Sequence, residues 1–312
     1  MRTIFTIVMI MCAINYALSQ RFFNKTDDNL RQEIEGINNR IEQLYLDQNI
    51  GSLMSLYAEE LTFFPEYKPA IFETKSLRAF FADWFNAGDI KAYKKKVYTV
   101  EIYDQYVLEI GTFNFNYTSL RKPQGEYNGN YMKLWKRNMG GDLSIVSETF
   151  GADKDIDPGD VPYADVQIPQ GNFVDNYNVS KQLQSEIEEF DAVVLKAVAE
   201  GDGDARARGF TEDAILMGNS DTIRIGMKAI RLKMLKTYAT GTSYNVKHTY
   251  NRIYDLGDYV FINGHYKGGW GDSSNGGRFE GNMSNFMKRG ENGKLLMHRQ
   301  AGNRESLEVF KQ

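Results

Sequence analysis

The chain has 312 residues, 42% of them hydrophobic and 13% aromatic, and a formal net charge of −4. A mildly acidic chain without a basic block excludes nucleic acid as a partner, while its length allows two ordinary hydrophobic cores. Cys12 is the only cysteine, which excludes a disulfide framework.

The N-terminus reads as an export signal. Arg2 supplies a basic start, Ile4 to Ile14 an apolar run, and Ala17-Leu18-Ser19 the small residues of a cleavage site. The run is too short to span a bilayer, which takes roughly 20 apolar residues. Cleavage near Ser19/Gln20 is expected to remove residues 1–19 and leave an exported protein, periplasmic or extracellular, with no stable membrane insertion. From Leu30 the apolar residues step by four and three through Ile34, Ile37, Ile41 and Leu44, the stripe of an amphipathic helix. Leu56 to Phe64 reads as a helix end passing into a short strand, and Ser76 to Asn86 as a further helix. Lys96 to Tyr103 and Tyr106 to Tyr117 read as strands. The next strand is G-E-Y-N-G-N-Y-M-K-L-W-K-R, Gly125 to Arg137. A four-residue loop, Asn138 to Gly141, turns it into a last strand, Asp142 to Phe150.

Residues 152–177 hold three of the six prolines, show no periodicity and read as a solvated linker. Asp153, Asp155 and Asp157 alternate there, but Pro158 stands where a calcium loop needs glycine. The same order of elements then recurs. Leu183, Ile187, Phe190, Val194 and Val198 form a second helical stripe, followed by Gly209 to Met217 and a helix from Met227 to Tyr238. Asn245 to Tyr254 and Tyr259 to Trp270 are strands. G-R-F-E-G-N-M-S-N-F-M-K-R, Gly277 to Arg289, repeats the earlier strand 152 positions on. Gly290 to Gly293 is its loop and Lys294 to Ala301 the closing strand. A repeat this long defines two domains, 26–151 and 178–310, because solenoid units run to only about 20–50 residues.

This order of helix, [Tyr/Phe]-x-Glu-[Asp/Glu], helix, Gly-x-[Tyr/Phe]-x-Gly-Asn, Lys-Arg, loop and last strand resembles the cone fold of nuclear transport factor 2. Ketosteroid isomerase and the SnoaL-like polyketide cyclases share that fold. The resemblance covers both copies. It implies an α+β fold of two tandem cone-fold domains, each with about three N-terminal helices on a strongly curved antiparallel sheet around a pocket. Members pair sheet to sheet, so two copies in one chain imply an intramolecular pseudo-dimer. Carried over by position, the isomerase's Asp base falls on Pro65 and Gly218, its Tyr on Ile41 and Val194, and its second Asp on Lys133 and Asn285. That constellation is absent from both copies.

The hairpin register supplies the candidate site. With Arg137 opposite Asp142, Lys133 faces Val146 and Tyr131 faces Glu148, all on one face, and Glu109 joins from the preceding strand. The first copy thus offers Glu109, Lys133 and Glu148 among Tyr131, Trp135 and Phe150, either as a pocket or as charges on a wet surface. In the second copy the same register sets Asn285 opposite His298 and Met283 opposite Gln300. His248 and His265 fall on opposite faces and give no metal-ligand spacing. Three functions stay open: binding of a small hydrophobic molecule without cofactor or metal, an isomerase, cyclase or dehydratase using Glu148, Glu109 or His298, and a structural module.

Overall fold

The computed structural model describes residues 27–168, 178–239, 243–271 and 275–311; the expected export signal lies outside them. Helix α1 (Asp27–Leu46) buries its stripe through Leu30, Ile34, Ile41 and Leu44. Asn49 starts the short α2 (Ile50–Met54) by accepting the Ser52 N–H, which satisfies one of the open donors of a helix start. Strands β1 (Tyr57–Phe64) and β2 (Ile71–Glu73) lead into α3 (Thr74–Ala87), which buries Leu77, Phe80, Phe81, Trp84 and Phe85. Strands β3 (Gly88–Tyr103), β4 (Tyr106–Ser119), β5 (Gly125–Arg137) and β6 (Leu143–Ala152) complete a sheet of order β2-β1-β6-β5-β4-β3. Only the β1–β6 pair is parallel. Two expectations need correction. Leu56 to Phe64 is strand from Tyr57 onward, and β3 starts at Gly88, well before Lys96. The lysines of this edge strand mask its buried positions Ile90, Tyr93 and Val97.

The second unit repeats the first. Helix α4 (Lys181–Glu200) is capped by the Ser180 side chain and closed by Gly201 at φ 66°, a left-handed position that suits glycine. It is followed by α5 (Gly203–Ala207), β7 (Phe210–Met217), β8 (Arg224–Ile225) and α6 (Gly226–Ala239). Strands β9 (Ser243–Asp255), β10 (Tyr259–Gly271), β11 (Asn275–Arg289) and β12 (Leu295–Lys311) give the order β8-β7-β12-β11-β10-β9. The chain is therefore α+β, two tandem cone-fold domains. The repeat extends to single contacts. Gly125 lies opposite Tyr117 and Gly277 opposite Trp270, and a Cβ on either glycine would collide with the facing ring.

The β5–β6 register differs from the four-residue loop that the sequence implied. Gly141, at φ 95°, closes a tight turn in which the Asn138 N–H donates to the Asp142 carbonyl, so Arg137 pairs with Leu143. A bulge then leaves Val146 unpaired, between the pairs Leu134–Ser147 and Trp135–Ile145. Lys133 consequently faces Glu148, and Tyr131 faces Phe150. The second hairpin carries the same bulge at His298, between Phe286–Arg299 and Met287–Met297, so Asn285 faces Gln300 and Met283 faces Gly302. Each turn and each bulge moves the register by one residue. Two shifts restore the original face, which is why the expected neighbours still share it.

The two sheets pack on each other by the faces turned away from their helices. Leu108, Ile110, Met132, Leu134 and Val146 of the first unit meet Ile215, Met217, Phe261, Phe286 and Ala301 of the second. A polar seam fixes the register of this contact. Thr149 Oγ1 lies 2.6 Å from Ser284 Oγ, Asn263 donates to Ser147 at 2.9 Å, and Asn303 Nδ2 donates to the carbonyls of Phe64 and Phe150. Arg299 closes one edge on Glu101 at 2.7 Å. The described part of the expected linker is not a free tether. Val161, Tyr163 and Val166 are buried in the first core, and the Tyr163 ring meets Trp84 edge-on with centroids 5.0 Å apart. Lys68 holds this strap by donating to the Ala164 and Val166 carbonyls.

Candidate functional site

In the first unit the side chains nominated from sequence do converge, but in a buried, filled core. Glu109, Lys133 and Glu148 are at most 5% exposed, which overturns the wet-surface alternative. Glu109 accepts from Asn38 Nδ2 at 2.5 Å, Tyr131 OH at 2.6 Å and Trp135 Nε1 at 2.8 Å. Glu148 pairs with Lys133 Nζ at 3.1 Å and accepts from Tyr57 OH at 2.6 Å. Lys95, not foreseen from sequence, completes the group. Its Nζ lies 4.0 Å from Glu109 and 3.8 Å from the centre of the Tyr131 ring, with no acceptor among the described residues. Burial, then repulsion from Lys133, pull the Lys95 ammonium down to about 7 against the attraction of Glu109. Burial pushes the Glu109 carboxyl up, yet Lys95, Lys133 and its hydrogen bonds outweigh burial and hold it below its ordinary value. Tyr45, Trp84, Tyr93, Phe113, Phe115, Tyr131, Glu148 and Phe150 leave a gap of only about 10 Å³. That is at most one water. Phe150, Tyr131 and Trp135 fill the first cone rather than line a pocket.

The second unit is hollow. A cavity of about 200 Å³ is walled by Phe190, Val194, Val198, Met283 and Met297, with Asn285, Gln300, His248, Tyr266 and Arg206 as its polar groups. The difference lies in side-chain volume at matching positions of the repeat. Where the first unit has Tyr45, Tyr93, Phe115, Tyr131 and Phe150, the second has Val198, Val246, Gly268, Met283 and Gly302. In the first unit Tyr93 stacks on Phe115 at 3.9 Å; in the second, Val246 lies beside Gly268. Gly218, at the position of Pro65, has open space where a side chain would begin.

The polar groups are partly tied to one another. Gln300 Nε2 donates to Asn285 Oδ1 at 2.8 Å, and Tyr266 OH donates to the Asn303 carbonyl at 2.9 Å. Asp191 of α4, the counterpart of Asn38, accepts from Tyr250 OH at 2.6 Å and lies 2.9 Å from His248 Nδ1. His298 is misplaced by the sequence reading, because as the unpaired residue of a bulge it turns to the opposite face. There it meets Thr211 at 3.0 Å and Asp213 at 3.4 Å and packs by the Phe286 and Tyr259 rings. Burial, then Arg299, hold its imidazole below the ordinary value.

A cluster not visible in sequence lies on that opposite face. His265, Glu280 and Glu305 come from β10, β11 and β12, with their ligand atoms all within 4.8 Å of one another. A second bulge, between the pairs Glu280–Ser306 and Gly281–Arg304, places Glu305 there. Burial and then Glu280 push its carboxyl up to about 7. One imidazole and two carboxylates form a donor set that could take a divalent cation, while His248 and His265 themselves lie on opposite faces of the sheet, as expected.

No family model matches the chain, and no curated protein matches it. Among solved structures, a ketosteroid isomerase-like protein from Erwinia carotovora atroseptica is 16% identical over 41% of this chain and 99% of its own, with a TM-score of 0.37. A nuclear transport factor 2-like protein from Cytophaga hutchinsonii is 14% identical over 39% of this chain and 97% of its own, with a TM-score of 0.35. A conserved protein from Planctomyces limnophilus is 12% identical over 40% of this chain and 99% of its own, with a TM-score of 0.36.

Proposed function

We propose that this is an exported two-domain binding protein whose second domain takes up a small hydrophobic molecule and whose first domain is its rigid pairing partner. The observation that carries this reading is the contrast between a hollow of about 200 Å³ in one cone and about 10 Å³ in the other. A pocket of apolar wall with a few convergent polar groups is the usual form of a small-ligand site. In the first cone Lys133, Glu109 and Glu148 serve packing, since no ligand space adjoins them. Export rests on the reading of residues 1–19, and the two domains correspond to 26–151 and 178–310 with the strap between them docked on the first.

A second reading has one observation in its favour. His248 lines the cavity and is oriented by Asp191, a base held by an acid. In that reading an isomerase, cyclase or dehydratase would use His248 rather than Glu109, Glu148 or His298. One experiment separates the two. Octan-2-one, neutral and apolar, is expected to raise the Tm of the full chain, by about 2.7 kcal/mol of stabilisation at 100 times its Kd. Gly302→Phe, which copies Phe150 into the hollow, is expected to abolish the rise. Absence of any shift in the wild type, or an equal shift in the variant, defeats the binding reading. Ketone recovered from D2O unlabelled supports a binder; label beside the carbonyl that appears with wild type and not with His248→Ala supports the enzyme.

A further inference from the structure

The second cavity has a cation without a counter-ion. Arg206 lies in α5, where the first unit has the buried apolar Leu53. Its side chain is brought inward, and the residue is only 7% exposed. The Cζ atom sits 4.6 Å from the centre of the Phe210 ring. Nη2 reaches Gln300 Oε1 at 3.4 Å, a long contact, and Nη1 is buried with no acceptor among the described residues. No carboxylate among those residues pairs with it. Asp191 attracts it from a distance, but its Oδ1 is taken up by Tyr250 and His248. Arg206 also borders an outer groove of about 390 Å³, where Glu186 is held by Arg289 at 2.9 Å.

A buried guanidinium normally carries a carboxylate or phosphate on its fork, because leaving its donors unmet is costly. Here that arginine is one of the residues lining a hollow that is otherwise mostly apolar. Resting on the binding reading above, we infer that the ligand is an amphipathic monocarboxylate, its head on Arg206 and its apolar body among Phe190, Val194, Met283 and Met297. The space accommodates roughly six or seven water-sized groups at ~30 Å³ each. That suits a medium-chain or single-ring acid.

Octanoate and octan-2-one, which match in chain length and differ in charge, test this by calorimetric titration of the full chain. Octanoate is expected to bind about 10–100-fold more tightly than the ketone, the range for one charge-assisted pairing. Arg206→Met is expected to erase that preference and to leave ketone binding within about threefold, which also shows that the variant is folded. Equal binding of the two compounds by the wild type overturns the carboxylate inference and leaves the binding reading standing. Octanoate affinity unchanged in Arg206→Met overturns it as well. If neither compound binds, both readings fall.

Discussion

Lys133→Met is expected to lower the unfolding free energy by about 3–5 kcal/mol, the usual cost of removing one member of a buried ion pair. The reason is what remains. Glu148 would keep only the Tyr57 hydroxyl, and Glu109 would face Lys95 across 4.0 Å without its cross-strand lysine. Methionine fills most of the lysine's volume, so the loss is electrostatic rather than a cavity effect. The double variant Lys133→Met/Glu148→Leu removes the pair together and is expected to cost less than the sum of the single changes, because no lone charge is left. Urea unfolding of the four proteins measures this coupling. Additive losses below about 1 kcal/mol each would mean that the pair is solvated, contrary to the burial described above.

Phe286→Ala is expected to cost a similar ~3–5 kcal/mol and to affect both domains. Phe286 is fully buried between the sheets, with the Tyr103 ring of the first unit 4.4 Å away and that of Tyr259 at 5.4 Å. The side chain therefore belongs to neither cone interior but to the face that joins them. Its removal loosens the joint while leaving each core packed. A single calorimetric unfolding transition in the wild type is expected to split in the variant, as coupled domains do when their interface weakens. An unsplit transition with Tm unchanged would show that the sheet-to-sheet face contributes little.

Much of this arrangement is legible in the residues. The stripes Leu30–Leu44 and Leu183–Val194, and the strand repeated from Gly125 at Gly277, give two α+β units by periodicity alone. The gathering of Glu109, Lys133 and Glu148 also follows, although the hairpin register differs from the one the loop length implies, because the turn at Gly141 and the bulge at Val146 each shift it by one and together keep the face. His298 shows the limit of that argument. It is itself the bulged residue, and no local pattern marks a bulge. The hollow was legible only in comparison, in the loss of rings from Tyr45, Tyr131 and Phe150 to Val198, Met283 and Gly302. Arg206 carried no signal, since a lone arginine near a polar turn reads as solvent-facing until the fold turns it inward.

Xenon bound to crystals of the full chain under pressure tests the division between a filled and a hollow cone most directly, since the gas settles against apolar cavity walls. Density is predicted in the second domain among Phe190, Val194, Met283 and Met297, with none in the first between Tyr45, Phe113 and Phe150. Xenon in the first domain, or an empty second domain, would contradict it.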